Sequence, residues 1–424
     1  MKKKKIILIG GGNRGNSYTR IAKELEKFEL IAIAEPLKQR RDYLARVHGI
    51  KDEMCFESWE PLLDLGKIAD AVIISTMDRD HFAPAMKAIE VGYDILLEKP
   101  AAPTYEECHA LTQAAKAKGV KVLVCHVLRY NKFFRALKHL IDEGKVGRII
   151  NIEHAECVGH IHYSHSYVRG KWNNENTSTF MLLAKSCHDL DIIQWLLGKE
   201  CKRVQSFGEL SYFRKENAPP DATERCLDGC PHLDSCPYNA KSIYIDHKDY
   251  GNWLRSSVTR SHEMTDDDVV IEALGRTEYG KCVFKCSNNV VDHQTVNMEF
   301  EDGITATFTM SAFNRGGRRI RIMGTHGMID AHSWSSTIHY QNLLTDENEE
   351  ICVDDMVLGD SILSGHGGGD GGIICSLYDM LSGNADYEKL SNISISTKNH
   401  AIAFAAEKSR LEGRIVELSE ITKC

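Results

Sequence analysis

A lysine at the end of a short apolar run, Asp94-Ile95-Leu96-Leu97-Glu98-Lys99-Pro100, is the first side chain here whose setting suggests chemistry. Four to six apolar residues closed by turn formers read as a buried strand of a parallel sheet. Ligands bind off the carboxyl ends of such strands, so Lys99 is a candidate catalytic group; a solvated strand-end lysine is the plain alternative. A second constellation is Lys185, His188 and Asp191. On one helix their three-residue spacing puts them on a common face, with Leu183, Leu190, Ile193 and Leu197 on the other. A cation, an imidazole and a carboxylate meeting there can pass a proton, Asp191 orienting His188 and Lys185 lowering the cost of nearby charge. The alternative is a salt-bridged surface stripe. The loop 160–170 gathers His162, Tyr167 and Arg169, the mixture of planar rings and donors that holds sugars. A transition metal on its histidines has less support, since no carboxylate stands at a fixed spacing. His366-Gly367-Gly368-Gly369-Asp370 opens a helix and either caps it or brings His366 and Asp370 to a substrate.

Other residues speak for a cofactor. Ile6-Ile7-Leu8-Ile9 runs into Gly10-Gly11-Gly12-Asn13-Arg14-Gly15 and then a helical pattern through Tyr18, Ile21, Ala22 and Leu25. This is strand, G-x-G-x-x-G, helix: Gly10 for the tight turn, Gly12 for backbone approach to a pyrophosphate, Gly15 for helix packing. The helix start offers free N–H groups to the phosphates. Glu35 closes a second apolar strand, Leu30 to Ala34, twenty residues after Gly15, where a carboxylate accepts from ribose hydroxyls and repels a 2'-phosphate. NAD is therefore expected over NADP, with Arg40 and Arg41 close by as a counter-indication. Ser75, Thr76 and His81 leave the strand ends beside Lys99; they line the nicotinamide half, or His81 caps its helix.

These side chains need a frame. Strand and helix alternate through 70–75, 82–91, 94–97, 104–118 and 120–125, which specifies a Rossmann-type, doubly wound parallel sheet over residues 1–125. From 126 to 424 the pattern changes to a helix over 133–143 and alternating segments at 149–157, 295–300, 305–312 and 318–323. That predicts a large, mostly antiparallel sheet packed on helices, an α+β domain with one face free to serve as a binding wall. A Pro- and Gly-rich insertion at about 213–262 carries Cys226, Cys230 and Cys236. Three thiols that close together suggest a structural zinc, with Cys282 or Cys286 as fourth ligand; reduced thiols are the alternative, and an iron-sulfur cluster a remoter one.

The glycine loop, Glu35, the loop 75–81, Glu98-Lys99-Pro100, Arg129-Tyr130 and Gly144-Lys145-Val146-Gly147 together resemble the Gfo/Idh/MocA family of glucose-fructose oxidoreductases and inositol dehydrogenases over nearly the whole chain. The resemblance implies an NAD-dependent enzyme acting on a carbinol carbon of a sugar, glycoside or polyol. It implies cofactor contacts from Gly10, Gly12, Asn13, Arg14, Gly15, Glu35, Ser75, Thr76, His81, Glu98 and Lys99. It further implies substrate contacts from Arg129 and Tyr130, with Lys99 on the reacting hydroxyl, and a homodimer or homotetramer formed through the large sheet. One departure stands out. The family carries an aspartate four residues before the histidine, and Ala184 stands there. Either Lys185 takes over the proton, or the base comes from elsewhere. Some family members resemble glycosidases that oxidise a ring hydroxyl transiently, eliminate the aglycone and return the hydride, so an NAD-dependent hydrolase is a second reading. A non-catalytic NAD-binding sensor is a third.

Composition narrows the setting. A chain of 424 residues with 42% hydrophobic and 26% charged content suits a two-domain globular protein. The net charge of −8 offers no footprint for nucleic acid. No apolar run approaches the ~18 residues of a membrane span, and the basic start lacks a signal peptide's long apolar core. A cytoplasmic protein with its fourteen cysteines mostly reduced or metal-bound is expected.

Overall fold

The computed structural model describes residues 3–246, 252–356 and 367–423. Six strands, β1 (Lys4–Ile9), β2 (Phe28–Ala34), β3 (Cys55–Phe56), β4 (Ala71–Ile74), β5 (Asp94–Leu97) and β6 (Val122–Val124), form one sheet in the order β3-β2-β1-β4-β5-β6. Every neighbouring pair is parallel. Helices cover both faces, which is why Ile7, Leu8, Ile73, Leu96 and Leu97 are all fully buried and the strands read as unbroken apolar runs. The strand order reverses between β1 and β4, so a crevice opens at their carboxyl ends, flanked by the glycine loop, the loop after β4 and Lys99.

The second sheet has nine strands: β7 (Ile149–Cys157), β8 (Cys201–Glu209), β9 (His293–Phe300), β10 (Thr305–Ser311), β11 (Gly317–Gly324), β12 (Gly327–His332), β13 (Thr337–Asn342), β14 (Asn348–Cys352) and β15 (Val416–Glu417). Their order is β14-β13-β12-β11-β7-β10-β9-β8-β15, antiparallel throughout except where β7 meets β10. Burial alternates along β9 and β10, so one face packs on helices and the other looks outward. The buried face meets Leu190 and Ile193 of the helix Cys187–Leu197 and Ala401, Ile402 and Ala405 of the helix Ile393–Glu412.

Two features differ from the sequence-based expectation. Residues after 367 return to the first domain: Ile373, Ile374 and Leu377 share a core with Leu8, Tyr18 and Ile73, and Val124 N–H donates to the Ser391 carbonyl at 2.8 Å. The chain after 126 therefore supplies part of the first domain's core as well as its own. The insertion, in turn, has more order than its composition suggests. Its helix Asn252–Thr259 packs with the helix Asp267–Arg276, and Tyr244, Leu254, Val258, Val270 and Leu274 form a small core of their own. Leu254 and Val258, like Val270 and Leu274, sit four apart on one helix face, a periodicity that Pro and Gly upstream obscured.

Candidate active site

The glycine turn is shaped as a dinucleotide cradle. Gly10 has φ +91°, and a Cβ there would stand 2.6 Å from the Ser75 backbone. At Gly15 a Cβ would lie 2.2 Å from the Gly10 carbonyl, so the helix Asn13–Glu24 can approach β1 only without a side chain. At Gly12 a Cβ would meet only Arg40 Nη1, at 3.9 Å, which leaves the space before its N–H open. Ser75 Oγ donates to the Gly10 carbonyl at 2.7 Å and braces the turn. Glu35 is buried and accepts from Gly11 N–H (2.6 Å) and Leu37 N–H (2.9 Å), poised at the ribose position. These residues fit an NAD molecule, with the pyrophosphate on the helix start and the ribose hydroxyls on Glu35.

Lys99 sits at the other end of the crevice, where the Lys99–Pro100 peptide is cis. Its Nζ donates to the Ala184 carbonyl at 2.5 Å, which joins the first domain to the break between the helices Met181–Ala184 and Cys187–Leu197. That break corrects the single helix expected: Lys185 and Ser186 form the junction, so Lys185 does not share a helical face with His188 and Asp191. Lys185 instead reaches Glu156 of β7 at 3.3 Å. Burial holds its ammonium below the usual lysine range, with Arg318 and Lys99 adding to the depression and Glu156 and Asp189 opposing it. His188, 6% exposed, lies edge-to-face against His126 (6.0 Å), which in turn meets His400 (5.6 Å). Neither ring nitrogen of His126 has a hydrogen-bond partner among the described residues. Burial pushes this imidazole down to about 4 against the pull of Asp191, with Arg129 and Lys99 adding to the fall. Lys99 is thus close enough to lower the pKa of both Lys185 and the neutral imidazole of His126, against which His188 packs.

Several expected contacts are redirected. Asp191 is fully buried, takes a bidentate pair from Arg129 (2.7 and 2.6 Å) and a further bond from Asn399, so it fastens Arg129 rather than orienting His188. Arg129 is correspondingly committed to that carboxylate. Tyr130 hydroxyl meets Ser391 Oγ at 3.1 Å and supports the returning chain, away from the substrate side. Arg14 pairs with Glu98 (2.9 Å) and bidentately with Asp370, while Tyr18 donates to Glu98 (2.6 Å). Arg14, Glu98 and Asp370 therefore clamp the helix Gly369–Ser382 beneath the glycine loop and are not arranged as cofactor or substrate ligands. His81 places both ring nitrogens on backbone carbonyls, Pro100 at 2.7 Å and Thr76 at 3.2 Å, and Thr76 Oγ1 donates to the Asp80 carbonyl. His81 stands at the N-cap position of the helix Phe82–Val91 but makes no side-chain cap bond, so it and Thr76 brace the loop instead. Tyr167 is buried against Tyr163 and Trp172, and His162 leans on Tyr167 and Trp253. Asn13 turns its side chain to the insertion. His366 lies outside the described residues.

Among the described residues the thiols are not arranged as a metal centre. Arg169, expected at the substrate, is buried in their midst, donating to the carbonyls of Lys281 (2.8 Å) and Tyr238 (2.7 Å) and to Cys226 Sγ (3.6 Å). Among the described residues no group of three or more His, Cys, Asp or Glu side chains is disposed to hold a metal ion. A guanidinium beside Cys226, Cys236 and Cys286 opposes a second cation. Burial pushes the thiols of Cys236, Cys282 and Cys286 up, which keeps them protonated, while hydrogen bonds to the Cys230 sulfur bring that thiol slightly down. Cys226, Cys230, Cys236, Cys282 and Cys286 are all free, so the zinc expectation gains no support.

Sequence reasoning passed over a charged layer that backs Lys185. Arg318 joins Glu156 (2.6 Å) and Asp189 (2.7 Å), and Asp189 also meets His154 at 2.9 Å. It passed over His126 as well. Arg318 and Glu156 lie on sheet strands where alternation marks faces, not partners, so only their burial gives them away. The one available signal for His126 was its position directly after β6, at a carboxyl strand end.

Fold and crevice define a two-domain, dinucleotide-dependent oxidoreductase. Residues 4–126 match the family described as "Oxidoreductase family, NAD-binding Rossmann fold", and residues 138–357 match its "C-terminal alpha/beta domain". The chain belongs to this Gfo/Idh/MocA family. It is similar to YteT of Bacillus subtilis (strain 168), 24% identical over 361 residues, 78% of this chain and 79% of that protein. It is also similar to the scyllo-inositol 2-dehydrogenase (NAD(+)) of Bacillus subtilis (strain 168), 30% identical over 43% of this chain and 50% of that one. The 2,7-anhydro-N-acetylneuraminate hydratase of Mediterraneibacter gnavus is 26% identical over 49% of this chain and 53% of its own length. The chain thus spans about half the length of these last two relatives. Among solved structures, the inositol dehydrogenase homolog from Azotobacter vinelandii complexed with NAD+ shares the fold, with a TM-score of 0.70, 16% identity, and coverage of 98% of this chain and 97% of that one.

Proposed function

We propose that this protein uses NAD to oxidise or reduce a ring hydroxyl carbon of a sugar, glycoside or polyol. The observation that carries the reading is Lys99 at the inner end of an NAD-shaped crevice, bonded to the Ala184 carbonyl at the helix break that carries Lys185 and precedes His188. Bound NAD supplies a hydride acceptor; the chain's residues do the rest. Lys99, held over the crevice by the Ala184 carbonyl, donates to the reacting oxygen and stabilises charge developing there. Lys185, its ammonium destabilised by burial, takes the hydroxyl proton, so it occupies the role that Ala184 cannot fill. His188 bonds a neighbouring hydroxyl and fixes the ring. The test is a panel of polyols, free sugars and glycosides incubated with NAD, following NADH and product together. Stoichiometric NADH is the expected result, and absence of NAD binding defeats the reading.

A second reading is favoured by the two-lysine site and by the similarity to a hydratase. In a redox-neutral lyase or hydrolase, the carbonyl formed at the oxidised carbon acidifies the adjacent C–H. Lys185 removes that proton, the glycosidic oxygen leaves with the bonding pair, water adds, and the hydride returns. Its signature in the same assay is free aglycone without net NADH.

A further inference from the structure

The cysteine-rich insertion reaches back to the glycine turn, some 240 residues upstream. Ser256 Oγ donates to Asn13 Oδ1 at 2.6 Å, and Asn13 Nδ2 donates to Ser257 Oγ (3.2 Å) and the Trp253 carbonyl (3.4 Å). His262 Nε2 donates to the Gly11 carbonyl at 2.7 Å, and its ring leans on Tyr43. Arg40, only 8% exposed, donates to the Arg260 carbonyl at 3.3 Å while its Nη1 stands in front of Gly12. The helix Asn252–Thr259 and the residues after it therefore pack along the part of the crevice that receives the adenosine and the phosphates.

Charge adds a second, independent observation. Arg40, Arg260 and Lys171 gather around one carboxylate, Glu35, with Asp80 further along. Desolvation by the packed chain draws Arg40 below its usual range and does the same to Lys171, although the Lys171 side chain keeps an exposed surface, and each is lowered further by its cationic neighbours. Glu35 is already engaged by two backbone N–H groups, so the cluster keeps a surplus of positive charge that an anion relieves. A dinucleotide's pyrophosphate brings two negative charges to this place.

We propose that the insertion is a working part of the cofactor site: its Arg260, with Lys171 and Arg40, contacts the phosphates of the dinucleotide, and the helix Asn252–Thr259, locked on Asn13, holds the glycine turn that receives them. This rests on the NAD-dependent reading above and sharpens it.

The experiment uses the full chain. Purified protein is denatured and its nucleotide quantified; reloaded protein is then chased from NADH with excess NAD, and nicotinamide fluorescence gives the off-rate. The wild type is expected to bind NADH and to release it with a single measurable off-rate. Arg260→Asn, which suits the positive φ of 60° there, and Lys171→Gln alter exposed side chains, so the melting temperature is expected to hold. Each is expected to raise the off-rate about tenfold, and the pair together more. Off-rates equal to the wild type overturn the proposal. Tighter retention of NADP than NAD overturns it too, since the cations would then serve a 2'-phosphate. A wild type that binds neither nucleotide defeats the NAD-dependent reading itself, an outcome distinct from the first two.

Discussion

At the residue scale, one buried ammonium is held in a setting that disfavours its charge. Lys185 stands beside Arg318 and Lys99 with its range depressed by burial, so the folded state binds that proton less well than the unfolded chain does. Stability therefore rises with pH above the folded-state pKa and the gain levels off near the unfolded value of about 10.4. Lys185→Met removes the penalty, leaves Glu156 paired with Arg318, and is expected to keep or raise the melting temperature while cutting turnover to a residual level. In the wild type, log kcat/KM is expected to climb with pH along a limb that the Met variant's residual activity lacks; a limb that persists would assign the base elsewhere. Lys99→Ala is expected to lower kcat/KM by about 10²–10³-fold, as removal of an oxyanion donor does, with NAD affinity little changed in a binding titration. The place of Lys99 at the end of β5 was legible from the apolar run before it. The partners of Lys185 were not, because strand alternation tells which face a side chain occupies and not which distant strand stands opposite.

At the element scale, the helix Cys187–Leu197 is fixed to the sheet by charge as well as by apolar packing. Burial pushes Asp189 up, yet Arg318 and His154 hold it down to about 2. Its contribution is complete above the unfolded carboxylate value of about 3.9 and is lost as pH falls toward 2. Asp189→Asn is expected to cost about 3 kcal/mol in urea unfolding at pH 7, the low end for a broken buried pair because Glu156 still faces Arg318, and the difference from wild type is expected to shrink below pH 4. The glycine turn is a second fixed element. Gly15→Ala places a methyl against the Gly10 carbonyl, and a loss of about 1–3 kcal/mol together with loss of NADH fluorescence enhancement is expected. Both outcomes come from one displacement, since the helix that must move away is the one that presents its N–H groups to the phosphates. The strand, glycine turn and helix were read from sequence because their rule is local. The helix break at Lys185 was missed, since Leu182, Leu183 and Leu190 continue an apolar pattern across it and only the packing of both halves shows the turn between.

At the scale of the whole molecule, the outward face of the nine-stranded sheet carries Thr305, Thr307 and Thr309 and the largely exposed Phe207. The family resemblance places subunit contacts on this sheet, and sedimentation at micromolar concentration is expected to give a mass of two or four times 47.7 kDa. A strictly monomeric protein would remove that expectation. Among the described residues no helix is long and apolar enough to cross a membrane. The sequence alone determined the two-domain architecture, the glycine turn, and the places of Glu35 and Lys99 at strand ends, because hydrophobic period and glycine spacing are properties of neighbouring residues. Only the tertiary structure decided that Asp191 serves Arg129, that Arg14 and Asp370 clamp a returning helix, that Arg169 stands among the thiols, and that the insertion lies on the glycine turn. These are pairings between residues 60 to more than 350 positions apart. Each depends on which charge finds which partner once water is excluded, and that choice is made by the packing of the whole chain.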